Sequence, residues 1–261
     1  MKSNSEKKSC LRRAGQYQDE KIEDLLNSKA MALVYMTVAF VIFIIYEWLL
    51  WFFPSQRKPL PLTIGCFIVI AFVIRELFKI RRQISKHVLG SLGEKVVADE
   101  LEKIKRNGFM VIHDFQHEYL GNIDHIVIGR KGVFVLETKY RTPKSKEDRI
   151  FYDGENVYTL NSSNSRNLIT NDNGKTPCGQ SAHAAAELQK MLVIDFPKVK
   201  RVQPIVVFPF WEIKIEEYEK RPNVRVTNEK EIAKQLIGLD NYFSDAEVSA
   251  IYEFLANRNK Q

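Results

Sequence analysis

Three residues in the stretch GNIDHIVIGRKGVFVLETKY, residues 121–140, are of the types that hold a metal or steady a phosphate: Asp124, Glu137 and Lys139. Two apolar runs flank Gly129-Arg130-Lys131-Gly132, which reads as the turn of a β-hairpin. A two-residue loop pairs 129 with 132, and a four-residue loop pairs 128 with 133; both set Asp124 directly opposite Glu137. A three-residue loop slips that register by one. Residues two apart in a strand share a face at about 7 Å, so Glu137 and Lys139 point the same way. Opposed residues also share a face, and the three side chains converge at the open end of the hairpin. Opposed carboxylates repel and destabilise a sheet. A neighbouring lysine offsets part of that repulsion, and a hard cation such as Mg²⁺, which takes oxygen ligands, offsets more. An isolated E-x-K is commonly a surface salt bridge. Here Val133 and Val135 occupy the face of Glu137, so that face is partly buried, and buried carboxylates need partners.

Two helical positions can add to this set. Glu94, in GSLGEKVV, precedes Val97, Ala98 and Leu101 by three, four and seven residues, which puts a carboxylate on the helix's own apolar stripe. Gly90 and Gly93 beside it permit close backbone approach. A first-turn glutamate favoured by the helix dipole reads the same way in isolation. Gln180 shares a stripe with Ala184, Leu188 and Met191; a site residue and a polar helix start fit it equally. Other candidates are weaker. His113 and His117 are four apart, but Met110–Phe115 reads as strand, so they need not share a face; His125 points away from Asp124, His183 reads as a surface residue, and Cys178 has no histidine near it in sequence.

The elements that must position these residues can be read outward from the hairpin. Helical spacing covers about Leu92–Lys105, and strands follow near Met110–Phe115, Ile123–Ile128 and Val133–Tyr140. A polar connection, Arg141–Gly179, holds a second hairpin (IFYDGENVYTL, turning at Asp153-Gly154) and an Asn/Ser-rich loop. A helix over about Gln180–Ile194 comes next, then a buried-type strand at Val202–Phe208 and a short one at Val224–Val226. Ser244 and Glu247 form a capping-box pattern before a final helix. This order predicts one α/β domain with a mixed sheet flanked by helices.

Ahead of that domain the chain changes character. Residues 31–53, MALVYMTVAFVIFIIYEWLLWFF, would extend about 34 Å as a helix, enough to cross a bilayer core of about 30 Å. Leu60–Ile74 is a shorter apolar run that reaches spanning length, residues 60–80, if Arg75 snorkels. Lys/Arg flank both ends, at Arg12, Arg13, Lys21 and Lys29 and again at Arg75, Lys79, Arg81, Arg82 and Lys86; the loop between has only Arg57 and Lys58. The bias predicts a multi-pass cell-membrane protein with both termini in the cytoplasm. The expected segments are 1–30 (cytoplasmic), 31–53 and 60–80 (transmembrane), 88–215 (α/β domain) and 216–261 (a helical extension packed on it).

The formal charge of +7 belongs wholly to residues 1–89, with 14 Lys/Arg against 7 Asp/Glu; residues 90–261 carry 25 of each. Net charge is therefore no nucleic-acid signal. Residues 130–149 hold seven Lys/Arg against three Asp/Glu, a local surplus that reads equally as a phosphate grip and as a solvated loop. Cys10, Cys66 and Cys178, odd in number and far apart, exclude a disulfide framework and zinc spacing.

Gly90–Glu94 (G-x-x-G-E), Ile123–Ile128 (I-D-H-I-V-I), Gly132–Lys139 (G-V-F-V-L-E-T-K) and the later glutamine-bearing helix together resemble the nuclease-related domain family, over roughly residues 88–210. That family is similar in its core to the PD-(D/E)xK nucleases, so the resemblance implies a restriction-endonuclease-like mixed sheet. It implies a Mg²⁺-dependent enzyme, Mn²⁺ being a possible substitute, that hydrolyses phosphodiester bonds in nucleic acid, DNA foremost. Asp124 and Glu137 correspond to the metal-ligand acids, with the Thr138 carbonyl, and Lys139 to the catalytic lysine. Glu94 corresponds to the first-helix acid and Gln180 to the core glutamine. The alternative is a membrane-tethered module that keeps the fold and binds or senses nucleic acid without turnover. A membrane scaffold whose hairpin acids are only structural is a third reading.

Overall fold

A computed structural model describes residues 11–51, 59–118, 121–171, 173–216 and 222–259. Cys10, the last two residues of the 31–53 segment, and the loop cations Arg57 and Lys58 lie outside them. The chain divides into two compact units, residues 18–88 and residues 1–17 with 89–261.

In the first unit, α1 (Gln16–Asp24) runs through a wide turn, Leu25–Ala30, into α2 (Met31–Trp51), and α3 starts at Pro59 and runs to Ile104. Both helices are long and apolar enough to cross a membrane. Large apolar side chains stand exposed along them, among them Tyr35, Ile42, Leu49, Phe67 and Ile68, which suits a lipid surround. The Trp48 indole donates to the Thr63 hydroxyl at 3.0 Å and ties the two helices together. The two helices expected at residues 60–80 and about 92–105 are one: α3 is continuous for 46 residues. No proline interrupts it, and Gly90 and Gly93 cost only about 1 kcal/mol each as helix formers.

The second unit is built on a five-stranded sheet ordered β1-β2-β3-β7-β9. Its strands are β1 (Met110–His117), β2 (Gly121–Gly129), β3 (Gly132–Thr138), β7 (Val202–Val207) and β9 (Arg225–Thr227). The first three are antiparallel; β7 and β9 run parallel to β3. Between β3 and β7 the chain inserts β4 (Arg149–Tyr152), β5 (Val157–Leu160) and β6 (Arg166–Leu168), which with β8 (Ile213–Ile215) form a second sheet. The Asp153-Gly154 turn forms as expected, with the Asp153 carboxylate accepting from the N–H groups of Glu155 and Asn156. β6 lies in the stretch expected as an Asn/Ser-rich loop, and no expectation covers β8; each is only three residues long and carries no alternation to read.

Helices cover both faces of the main sheet. On one, α4 (Pro177–Asp195) and α6 (Asp245–Ala256) bury Leu188, Leu192, Ile251 and Leu255 against Ile126, Ile128, Val133 and Val135. On the other, Val97, Leu101 and Ile104 of α3, with Ile232 and Leu236 of α5 (Glu229–Ile237), pack on Val127, Phe134, Leu136 and Ile205. Each wholly buried aliphatic side chain contributes about 1.5–3 kcal/mol. The capping box at Ser244 and Glu247 forms as the sequence predicts. Helix α4 begins three residues before Gln180, because Thr176 caps it and Pro177 suits a first turn. The domain is thus mixed α/β, with two apolar helices ahead of it.

Candidate active site

The hairpin turn has two residues, Arg130 and Lys131, with Gly129 paired to Gly132, whose φ of 144° favours glycine. This is one of the two registers that oppose Asp124 to Glu137. The ladder proper ends one pair earlier, at His125 and Leu136. Beyond it the Asp124 carboxylate, rather than its backbone, takes the Thr138 N–H at 2.7 Å. That bond pins a buried carboxylate to the strand that carries its neighbours. The sheet alternation also breaks here: Ile123 and Ile126, three apart, both reach the α4 core, as do Ile112 and Phe115 on β1.

Glu137 and Lys139 meet as an ion pair, Nζ to Oε1 2.7 Å, with 15% and 25% of their side chains exposed. The strand stops at Thr138, yet the Lys139 N–H still donates to the Val207 carbonyl at 2.9 Å, so its backbone is fixed. Burial raises the Asp124 carboxyl well above the ordinary range, and the charges of Glu137 and then Glu94 raise it further. Glu94 is 2% exposed on α3, within electrostatic reach of Asp124. Burial pulls the Lys139 ammonium down, but the charge and hydrogen bond of Glu137, helped by Asp124, outweigh it and leave its pKa raised. Lys139 therefore stays protonated at neutral pH.

Gln180 lies across a cleft of about 480 Å³ that Glu137 also lines, with Asn122, Lys175, Thr176, Gly179, His183 and Ala184. Its Oε1 and the Asn122 Oδ1 are buried, with no hydrogen-bond partner among the described residues. The structure thus gathers Asp124, Glu137, Thr138 and Lys139 at one strand end. It sets Glu94 on the helix side of that end and Gln180 on the cleft side. Sequence reasoning missed Asn122, Lys175 and His183. Asn122 sits two residues before Asp124 and His183 one helical turn after Gln180, spacings that could have suggested both. His183 is exposed, as expected of a surface residue, but its surface is the cleft. Burial pushes the Cys178 thiol to about 12, which leaves it no nucleophile. His125 is fully buried against His113, Nδ1 to Nδ1 2.9 Å.

No group of three or more His, Cys, Asp or Glu side chains stands ready for a metal among the described residues. Two carboxylates and a main-chain carbonyl suit Mg²⁺, which keeps much of its water and needs one or two carboxylates beside a phosphate. The crowding of acids around a buried Asp124 fits a cation in charge as well as in ligand type.

A mixed sheet with acids and a lysine gathered at the end of its central hairpin defines a nuclease-like α/β domain. Residues 89–209 match the family model described as the nuclease-related domain, NERD. No match was found among curated proteins or among solved structures.

Proposed function

We propose that the protein is a membrane-anchored, metal-dependent nuclease that hydrolyses phosphodiester bonds, with DNA as the expected substrate. The observation that carries this reading is the convergence of Asp124, Glu137 and a protonated Lys139 at one strand end of a nuclease-related domain. Asp124 and Glu137, with the Thr138 carbonyl, would hold Mg²⁺ or Mn²⁺. When bound, that ion supplies the Lewis acidity that polarises a phosphate oxygen and acidifies water. Lys139 carries its proton throughout, so its part is to offset negative charge that develops on the phosphate and to orient the attacking water. Glu137 aims the ammonium through its ion pair. The Thr138 N–H fixes the Asp124 carboxylate, which keeps the acids in place before substrate arrives. Glu94 adds negative charge from the helix side, and Gln180 offers a buried amide oxygen to a water or sugar on the cleft side.

The same reading sets the domain on the cytoplasmic face. Arg12 and Tyr17, which precede the first apolar helix, both bind Asp114 inside the nuclease-like unit. That docking supports an even number of crossings, with the segment before the first apolar helix on the domain's side. The lysine and arginine bias of the flanks favours the cytoplasm as that side.

The test uses the full chain in detergent, incubated with linear, circular and single-stranded DNA and with RNA, each with Mg²⁺, Mn²⁺ or EDTA. Metal-dependent cleavage that Lys139→Ala lacks is the expected result, and no cleavage of any substrate by the folded chain would overturn it. The even charge balance of residues 90–261 favours one rival, a binding or sensing module without turnover. Nucleic-acid binding with Mg²⁺ but no cleavage would select it.

A further inference from the structure

Just past the strand ends that carry the site, the chain exposes an aromatic ring on a loop that is otherwise tightly held. Phe210 follows β7 by three residues and leaves 56% of its surface to solvent. Its backbone sits at φ 66°, a left-handed conformation rare for a bulky residue. Several bonds enforce that conformation. The Phe210 N–H donates to the buried Glu229 carboxylate at 2.8 Å, and the Phe208 N–H to the Thr227 carbonyl at 2.9 Å. Trp211 is fixed from both sides: its indole donates to the Arg141 carbonyl at 2.9 Å, and its own carbonyl accepts from the Asn228 amide at 3.0 Å. A buried carboxylate and a strained backbone thus hold an apolar ring out in solvent. Strain of this kind persists where surrounding structure over-determines it, and functional sites are where it collects.

The position of the ring is informative. It meets the ring of Tyr140 edge to face, centroids 6.2 Å apart at 79°. Tyr140 directly follows Lys139, and its Cβ lies so close to Gly93 that a side chain there would come within 2.9 Å. Glu94 follows Gly93. The aromatic pair therefore stands beside the Glu94 turn of α3 and directly after Lys139 in the chain, and neither ring lines the Gln180 cleft.

We propose that Phe210 and Tyr140 form a stacking platform for an unpaired nucleobase next to the scissile phosphate, so that the preferred substrate is single-stranded or locally opened nucleic acid. This rests on the nuclease reading for the identity of the ligand. A base in intact duplex has both faces covered by its neighbours and has no face to offer; an unpaired base does. Stacking on an aromatic ring tolerates any base. The loop geometry removes the entropy of ordering a mobile ring on binding.

The test measures binding by the full chain in detergent, with Lys139→Ala as the parent so that bound probe survives. The probes are a fluorescein-labelled 12-mer of thymidines and a labelled duplex of equal length, read by anisotropy with Mg²⁺ present. Phe210→Ala should weaken single-strand binding about tenfold, within the range for loss of one stacked base, and change duplex binding by less than about twofold. Phe210→Trp should retain the parent's affinity. Phe210→Gly accepts the left-handed backbone, so it should melt no lower than the parent and still lose the single strand. Parent-like single-strand binding by Phe210→Ala or Phe210→Gly, equal losses on both probes, or a parent that binds neither probe would overturn the platform. Tight Phe210-dependent binding by a wild-type chain that cleaves nothing would leave the platform standing and remove the nuclease reading alone.

Discussion

Asp114 and Asp124 lie on neighbouring strands, both fully or nearly buried, in surroundings of opposite character. The register of β1 against β2 opposes the places of the two, between His113–His125 and Phe115–Ile123. Asp114 adopts a left-handed φ of 50° and turns to the N-terminal segment. There one oxygen accepts from the Arg12 guanidinium at 2.7 Å and from the Tyr17 N–H at 2.8 Å. Arg12 is itself buried, so this is an internal ion pair that locks residues 12–17 to the domain. Among the described residues Asp124 has a single backbone donor, and its strongest electrostatic neighbours after burial are two more acids. One aspartate carries its counterion in the fold. The other is held among like charges with Lys139 as the nearest offset, the arrangement expected where a cation from solution completes the set.

The largest effects should separate the two aspartates by kind. Lys139→Ala and Asp124→Asn should each cut single-turnover cleavage by about 100-fold or more, while both chains melt as cooperatively as wild type. Arg12→Met should do the reverse. It leaves a buried carboxylate without its guanidinium, at a cost of about 3–5 kcal/mol in denaturant or thermal unfolding. If Asp124 were structural in the same sense, Lys139→Met would destabilise as severely, and the contrast would break.

A smaller effect sharpens the sign. The folded-state pKa of Asp124 is raised, so its ionisation costs stability as pH rises above the ordinary aspartate value of about 3.9. In EDTA at neutral pH, Asp124→Asn should therefore melt higher than wild type, by about 2–4 °C for each kcal/mol relieved. That advantage should shrink as pH is lowered toward about 4. Equal melting at both pH values would mean that the acids do not strain the fold.

The smallest effect concerns the histidines on these same strands. Burial pushes His113 and His125 down, so both stay neutral in the fold while the unfolded chain takes up protons below about 6.5. Stability should fall as pH drops through that value, by at most about 1.4 kcal/mol per pH unit per histidine. His113→Asn should flatten the slope measured by melting between about pH 7.5 and 5.5.

The sequence carried the hairpin register because strand pairing needs only the turn length, and Gly129 and Gly132 bound that turn. It carried Glu94 because the apolar stripe of α3 puts that position against the domain. It could not show that the Asp124 carboxylate, not its backbone, ends the ladder, since that depends on a break in alternation at Asp114 and Asp124. Nor could it show the Arg12–Asp114 pair, whose members are 102 residues apart. Lys175 and Phe210 reach their places through loops, where no periodicity marks what a side chain faces. The continuity of α3 was hidden by the change from apolar to charged composition at Arg75, which a reading by hydropathy takes for an end.

Thermal melting of the full chain in detergent against increasing Mg²⁺, wild type beside Asp124→Asn, tests most directly whether a cation completes the Asp124 cluster. Wild type should gain stability with Mg²⁺, about 2.7 kcal/mol at a hundredfold excess over Kd, and Asp124→Asn should gain little. Equal Mg²⁺ responses in the two chains, or none in either, would contradict the account.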